Sequence, residues 1–457
     1  MSDAGLPSAF RPSQLELMTT RYSRFRILAL ALFGGCLTTT QAARMELDLA
    51  TALERAPEAN FQILLSEEAI RAQEESTLIA RSGLLPQVSL SASQSRAMSP
   101  NVDPLSASFP GIPERFFNDR FDGLVRARLQ LLDFRTWDNW KISRLSLQAV
   151  RFQVESTVQD ILQQIAVTYY THWRNQRRLD VIDANLERDR LLLQIARDQQ
   201  EAGVATALDV TRAEVSLATN ELARLQQETA VMGSALRLKR VLTIPLETEL
   251  VLADETIEPT VEVTAYSPMR FSGVLAQRPD YQQLEKELER EELALDASRR
   301  DRLPSLSLSG QWGYASQSWT DDMEEQWSIS LGLNMPIFEG FRLSAETRRA
   351  ASNLRSKELE LKDLTQQIES DYRFVLQNLE SRARQVEVAR RAVSLNEREF
   401  ELARIRFEEG VADNSDVVDA QAALADAEDT LVEAEYQYVQ ARIELARIEG
   451  EVRSILR

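Results

Sequence analysis

The sequence predicts a mostly α fold with a small membrane β portion: long antiparallel coiled-coil helices plus four strands per chain. Three observations predict it. The 457 residues hold only 15 glycines and 14 prolines, and Ala, Leu, Glu, Arg and Gln dominate, the composition of long helices. Four short stretches switch from a helical period to strict apolar–polar alternation. The whole pattern also occurs twice. The turn QEAGVATALDVTRAE (Gln200 to Glu214) returns as FEEGVADNSDVVDAQ (Phe407 to Gln421), with Gly203 and Gly410 207 residues apart.

At the start of the chain, Arg21, Arg24 and Arg26 precede the apolar run ILALALFGGCL (Ile27 to Leu37), and Thr40 and Ala42 stand at −3 and −1 of a small-residue cleavage site. This is the layout of an export signal, residues 1–42, with Met18 as an alternative start. FGGC is also a degenerate lipobox, with Phe33 where Leu is usual. That alternative ends the signal before Cys36 and acylates it. The cut after Ala42 is the preferred reading and removes the only cysteine. Either cut takes the chain out of the cytoplasm. No later run of 18 apolar residues offers a transmembrane helix, so membrane entry must be by strands.

Composition excludes several functions. The formal charge is −18, about −20 without residues 1–42, which argues against nucleic acid as a partner. One Cys and one His leave no material for Cys/His metal sites, disulfide frameworks or Ser-His-Asp catalysis. No carboxylate cluster has metal-ligand spacing, so no metal or cofactor is expected. His172, in TYYTHWRN, reads as a packed helix residue.

The first repeat, 43–263, reads as a helix over 47–81, strands over 86–95 and 122–133, a long helix over 136–200, the Gly203 turn, and a return helix over 209–242. The long helix would span roughly 97 Å at 1.5 Å per residue. The second repeat, 264–457, reads as a helix over 272–299, strands over 304–315 and 327–338, and helices over 344–408 and 416–455. LLPQVSLS at Leu84 matches RLPSLSLS at Arg302, and LLDF at Leu131 matches MPIF at Met335. The first repeat carries 14 extra residues, placed in the loop Gln94 to Asp119. Pro245 to Pro268 reads as a β-rich acidic crossover at the helices' equator.

Each strand reads as about 9–11 residues, enough to span a bilayer when tilted. Val88, Leu90 and Ala92 alternate with serines; Val125, Ala127, Leu129 and Leu131 alternate with Arg126, Arg128 and Gln130; Trp327, Ile329, Leu331 and Leu333 alternate with Ser, Gly and Asn. The polar faces carry small serines rather than the mixed charges of a solvated sheet. Aromatics sit at strand ends (Phe134, Tyr314, Trp327, Phe338). Arg126 and Arg128 fall on the polar side, where they would line a lumen. Four strands cannot close a barrel, and open edges are not tolerated in lipid, so the barrel must be shared between copies.

The ordered set of LLPQVSLSAS, RLPSLSLSG, MPIFEG and two G-V-x-x-x-x-D-V turns resembles the TolC family of outer-membrane channel tunnels, over about 47–457. The resemblance implies a homotrimer whose four strands per chain form a shared twelve-stranded β-barrel in outer-membrane lipid, above a helical tunnel in the periplasm of a Gram-negative bacterium. It implies a passive exit duct of a tripartite efflux or type I secretion system, not an enzyme. The duct would dock through Gly203, Val204, Gly410 and Val411 on a periplasmic adaptor served by an inner-membrane pump of RND or ABC type. The two glycines would end helices, and Thr206-x-x-Asp209 is a capping box that Asp413-x-x-Asp416 resembles. Two inward aspartates follow the second turn in the family; here they are Asp416 and Asp419, on one helix face, forming a pore constriction of six carboxylates in a trimer. The chain departs from the family at the tip gate. The family's Arg and Tyr are replaced by Ala412 and Phe407, Asp209 keeps the acidic partner, and Arg404 and Arg406 are the cations nearby.

Two rivals predict other sequences. A periplasmic adaptor (membrane fusion) protein would carry one helical hairpin flanked by lipoyl-like β segments, not two hairpins with bilayer-length strands. An exported enzyme using Asp416 and Asp419 would need a cleft-forming fold with sugar-binding aromatics.

Overall fold

The computed structural model describes residues 44–100, 115–253, 257–259, 266–409, 411 and 414–456. Residues 1–42, expected from sequence to be an export signal, with Cys36, and also Gly410, Ala412 and Asp413, lie outside the described residues. The first half contains β1 (Arg44–Leu47), α1 (Leu49–Ala59), α2 (Phe61–Ser82), β2 (Gln87–Pro100), β3 (Arg115–Leu132), α3 (Phe134–Glu201), α4 (Ala207–Val241) and β4 (Glu249–Leu252). The second contains α5 (Pro268–Gln277), α6 (Pro279–Arg300), β5 (Ser305–Ser316), β6 (Glu324–Asn334), α7 (Arg342–Glu408) and α8 (Asn414–Ile448), then a 3-10 turn, Val452–Leu456.

α3 and α7 have 68 and 67 residues, so each is roughly 100 Å long. α4 folds back on α3, and α8 on α7, and α3 also packs on α8. The helical layer therefore runs α4–α3–α8–α7, with α4 and α7 at its edges. Side chains hold α3 to α8: Arg178 grips Asp429 through two bonds of 2.5 and 2.6 Å, and Arg188 reaches Glu428 at 2.6 Å. The main core lies at mid-length, where Leu162, Ile165, Tyr169 and Trp173 of α3 meet Val386, Tyr438 and Ile443, with Leu47 and Leu53 closing it. Each fully buried aliphatic there contributes about 1.5–3 kcal/mol.

The sheet is antiparallel in the order β2-β3-β5-β6. β2 and β6 each pair on one side only within the chain. Above the part shared with β5, Ser95–Pro100 of β2 pairs with Arg115–Arg120 of β3 as a two-stranded ribbon.

Several boundaries differ from the sequence reading. β2 and β3 have 14 and 18 residues, because the insertion of the first repeat prolongs the hairpin beyond the bilayer-length part. A bulge between Gln130 and Leu132 hands the place opposite Leu306 to Leu132, displacing Leu131. β6 stops at Asn334 because Pro336, two residues on, has no N–H for the ladder, so Met335 to Phe338 lie outside the strand. The single helix expected over 47–81 breaks at Asn60, whose side chain accepts from Gln62 N and donates to the Val241 carbonyl. The helix expected from 272 begins at Pro268 and breaks at Pro279, which takes the first position of α6. Among the described residues the crossover holds one short strand, β4, paired in parallel with β1, a strand the sequence reading lacks. α8 ends at Ile448 rather than 455, because Gly450 turns the chain with φ +86°; a Cβ there would meet the Gln277 carbonyl at 2.9 Å.

Candidate functional site

The sheet has two unlike faces. Register places Ser89, Arg126, Gln311 and Ser328 in one row and Gln87, Arg128, Ser309 and Ser330 in the next. Arg126 Nη1 donates to Ser91 Oγ at 2.5 Å. The other face carries Val88, Leu90, Val125, Leu308, Ile329, Leu331 and Leu333. Leu90 is 79 % exposed and Ile329 72 %, although both are fully apolar. A contiguous apolar face of this kind is costly in water and suited to lipid, whereas arginine on a lipid face costs about 2–4 kcal/mol at mid-bilayer. Arg126 and Arg128 avoid that cost by standing on the polar side. Where strands become helices, Arg135 meets Asp301 at 2.9 Å and Arg300 meets the buried Asp138 at 3.2 Å, tying α3 to the end of α6.

At the far end, α3 gives way to a tight turn. Gly203 adopts φ +76°, and Val204 N and Ala205 N donate to the Gln199 carbonyl at 2.9 and 3.2 Å. Thr206 and Asp209 form the capping box expected from their spacing: Thr206 N donates to Asp209 Oδ2 at 2.8 Å, and Asp209 N to Thr206 Oγ1 at 3.4 Å. The Thr206 hydroxyl and backbone N–H hold the Asp209 carboxyl below its ordinary range. Val204 and Val411 are exposed at the turns.

The residues grouped from sequence as a tip gate do not share one environment. Asp209 is nearly buried in its cap. Phe407 is buried among Leu192, Val417 and Leu424, and its carbonyl accepts from Gln199 Nε2 at 2.7 Å, which ties α7 to α3. Arg404 lies between Glu401 and Glu408 on its own helix, at 2.7 and 2.5 Å. Arg406 is exposed on the last turn of α7, and its carbonyl accepts from Val411 N at 2.9 Å.

Asp416 and Asp419 both lie outside the core, while Val417 and Ala420 between and beyond them are buried. The two carboxylates thus share the face of α8 turned away from the core. Asp419 opens onto a groove of about 820 Å³ between α4 and α8, beside Arg212, Asn220 and Asp426. Under that groove lies a residue the sequence reading missed. Asp189 of α3, 2 % exposed, accepts from Ser216 Oγ (2.8 Å) and Asn220 Nδ2 (2.6 Å) of α4 and from Gln421 Nε2 (2.7 Å) of α8. The signal was an acidic residue on the apolar face of a long helix. His172, read as a packed residue, is buried, with Nδ1 2.9 Å from Ser234 Oγ. Burial, with Lys239 nearby, pushes its pKa down to about 4.

The sequence profile of the outer membrane efflux protein family matches residues 52–243 and 271–451. The toluene efflux pump outer membrane protein TtgF of Pseudomonas putida is 24% identical over 372 residues, 79% of this chain and 74% of TtgF. The proteases secretion protein PrtF of Dickeya chrysanthemi is 23% identical over 372 residues, 77% of this chain and 76% of PrtF. Among solved structures, the Campylobacter jejuni CmeC outer membrane channel superposes with a TM-score of 0.76 at 18% identity, covering 88% of this chain and 85% of CmeC.

Proposed function

This chain belongs to the outer membrane efflux protein family, and on that premise we propose that three copies assemble into a passive conduit across the outer membrane and periplasm. The chain is an outer-membrane channel component of an efflux or secretion system. One observation carries the conduit reading: a bilayer-length sheet with one exposed apolar face and two open edges continues directly into paired helices roughly 100 Å long. Unpaired edges in lipid cost several kcal/mol per backbone group, so β2 must pair with β6 of another copy. Three copies would close twelve strands, with Arg126 and Arg128 facing the lumen.

Asp416 and Asp419 of three copies would then ring the narrow end with six carboxylates and favour cations there. Gly203, Val204, Gly410 and Val411 would meet a periplasmic adaptor, and an RND- or ABC-type inner-membrane pump would supply the energy. The conduit itself would do no chemistry. Asp209 and Phe407 would shape the tip from within one chain, as cap and core, leaving Arg404 and Arg406 as its surface cations. An adaptor protein would carry one helical hairpin; this chain has two, α3–α4 and α7–α8.

Native mass spectrometry of the detergent-extracted protein tests the assembly. The reading predicts a particle of three times the chain mass. A single-chain mass under conditions that keep the fold overturns it.

A further inference from the structure

The two edge helices carry matching unpartnered stripes. On α4, Leu208, Val215, Leu222, Thr229 and Leu236 recur every seven residues and are exposed; Leu222 is 58 % exposed. On α7, Phe374, Ser381, Val388, Leu395 and Leu402 recur every seven residues and are exposed; Val388 is 63 % exposed. The stripes are equal in length, and each begins within a few residues of the same tip. Five exposed heptad positions on a helix form a coiled-coil seam, and a seam in water needs a partner.

Both stripes are flanked by charge: a row of glutamates on α4, and on α7 a row of arginines nearest the stripe, with Glu380, Glu387 and Glu401 further round the same flank. Glu214, Glu221 and Glu228 precede stripe positions on α4 by one residue, and Arg384, Arg391 and Arg398 follow stripe positions on α7 by three. At 3.6 residues per turn these offsets rotate both rows in the same sense from their stripes, by about 100° and about 60°. Two facing antiparallel helices then bring the rows to the same side of the seam. Within the chain, Glu214, Glu228 and Arg384 make exposed pairs with Arg197, Arg224 and Glu380. Among the described residues, no ion pair within the chain engages Glu221, Arg391 or Arg398.

We infer that α4 of one copy packs antiparallel on α7 of a second copy, in the single register that sets Leu208 against Leu402, Val215 against Leu395, Leu222 against Val388, Thr229 against Ser381 and Leu236 against Phe374. The same register sets Glu214 against Arg398, Glu221 against Arg391 and Glu228 against Arg384, the flanking contacts of an antiparallel coiled coil. It also turns Leu225 and Met232, both exposed on α4, toward a groove of about 640 Å³ on α7 lined by Gln377, Ser381, Gln385 and Val388. The two stripes lie on opposite edges of one chain, so the contact is head-to-tail rather than a two-fold dimer, and it closes as a ring where the rotation between copies closes. The sheet agrees in direction: β2 leads the edge that ends in α4, and β6 runs into α7. The number of copies rests on the trimer reading above; the register does not.

The test is disulfide capture in a Cys36→Ser background. Leu222→Cys with Val388→Cys should give covalent multimers up to the full ring on non-reducing gels after mild oxidation. Leu222→Cys with Leu395→Cys, one heptad out of register, should give at least about tenfold less. Capture by the second pair instead of the first overturns the register. A trimer by native mass that yields no capture with the first pair overturns this seam but leaves the trimer standing, whereas a single-chain mass removes both. Charge exchange gives a second reading: Glu221→Arg should lower the trimer fraction, and adding Arg391→Glu should restore it. A double variant no better than the single one would contradict the pairing.

Discussion

Asp189 shows what one buried carboxylate does in a wall of long helices. It has three neutral donors from two other helices and no cation among them, so it fixes the rotation of α4 and α8 about α3. Asp189→Ala leaves Ser216 and Asn220 without this acceptor and Gln421 with only the longer bond to the Asn185 carbonyl at 3.4 Å, and should destabilise the fold by about 1–3 kcal/mol. Thermal unfolding in detergent would read this as a lowered midpoint; an unchanged midpoint would mean that water replaces the carboxylate without loss. His172 gives a pH dependence of known sign. Its pKa is about 4 in the fold against 6.5 for the free side chain, so the fold favours the neutral ring. The stability this gives is complete above pH 6.5 and is lost as pH falls from 6.5 toward 4, in total about 3 kcal/mol. His172→Gln should flatten that part of the stability–pH curve, and an unaltered curve would assign the acid sensitivity to other groups. Residue roles were legible where they depended on local spacing. The Thr206–Asp209 cap follows from spacing within one turn, and His172 sits in an aromatic helical context. Asp189 and the burial of Phe407 depend on which helices meet, and sequence spacing within one helix does not contain that.

At the scale of elements, the tip turn combines a left-handed glycine with a capped restart. A Cβ at Gly203 would meet nothing within 4 Å, so the cost of Gly203→Ala is backbone strain alone, about 1–2 kcal/mol. Thr206→Ala removes the cap at about 0.5–2 kcal/mol. Both should raise amide exchange in the first turns of α4 and leave the mid-length core protected. Equal loosening of the core would show that the hairpin does not end independently. The long helices and the four strands were legible because periodicity runs through many residues. Asn60, Pro279 and Gly450 break helices through single side chains or a single φ, and their effect shows only against what they touch. The β1–β4 pairing joins segments far apart in sequence, Arg44 with Glu249, and neither four-residue strand has enough length to announce itself.

At the scale of the whole molecule, the proposed assembly rests on the edges. The chain leaves β2 and β6 open, and α4 and α7 striped, at the same two sides, so the proposed ring would complete each copy in both lipid and water. If the assembly closes as a ring, Asp416 and Asp419 define its narrow end. Asp416→Ala with Asp419→Ala should then weaken block of the single-channel current by divalent cations, and block of unchanged strength would remove that role from the pair. The most direct measurement is single-particle electron microscopy of the detergent-extracted protein with no cargo added. The expected particle is a three-fold tube about 100 Å long, set by the helical rise, below a short barrel. A single-chain or hairpin-shaped particle without a barrel would contradict it.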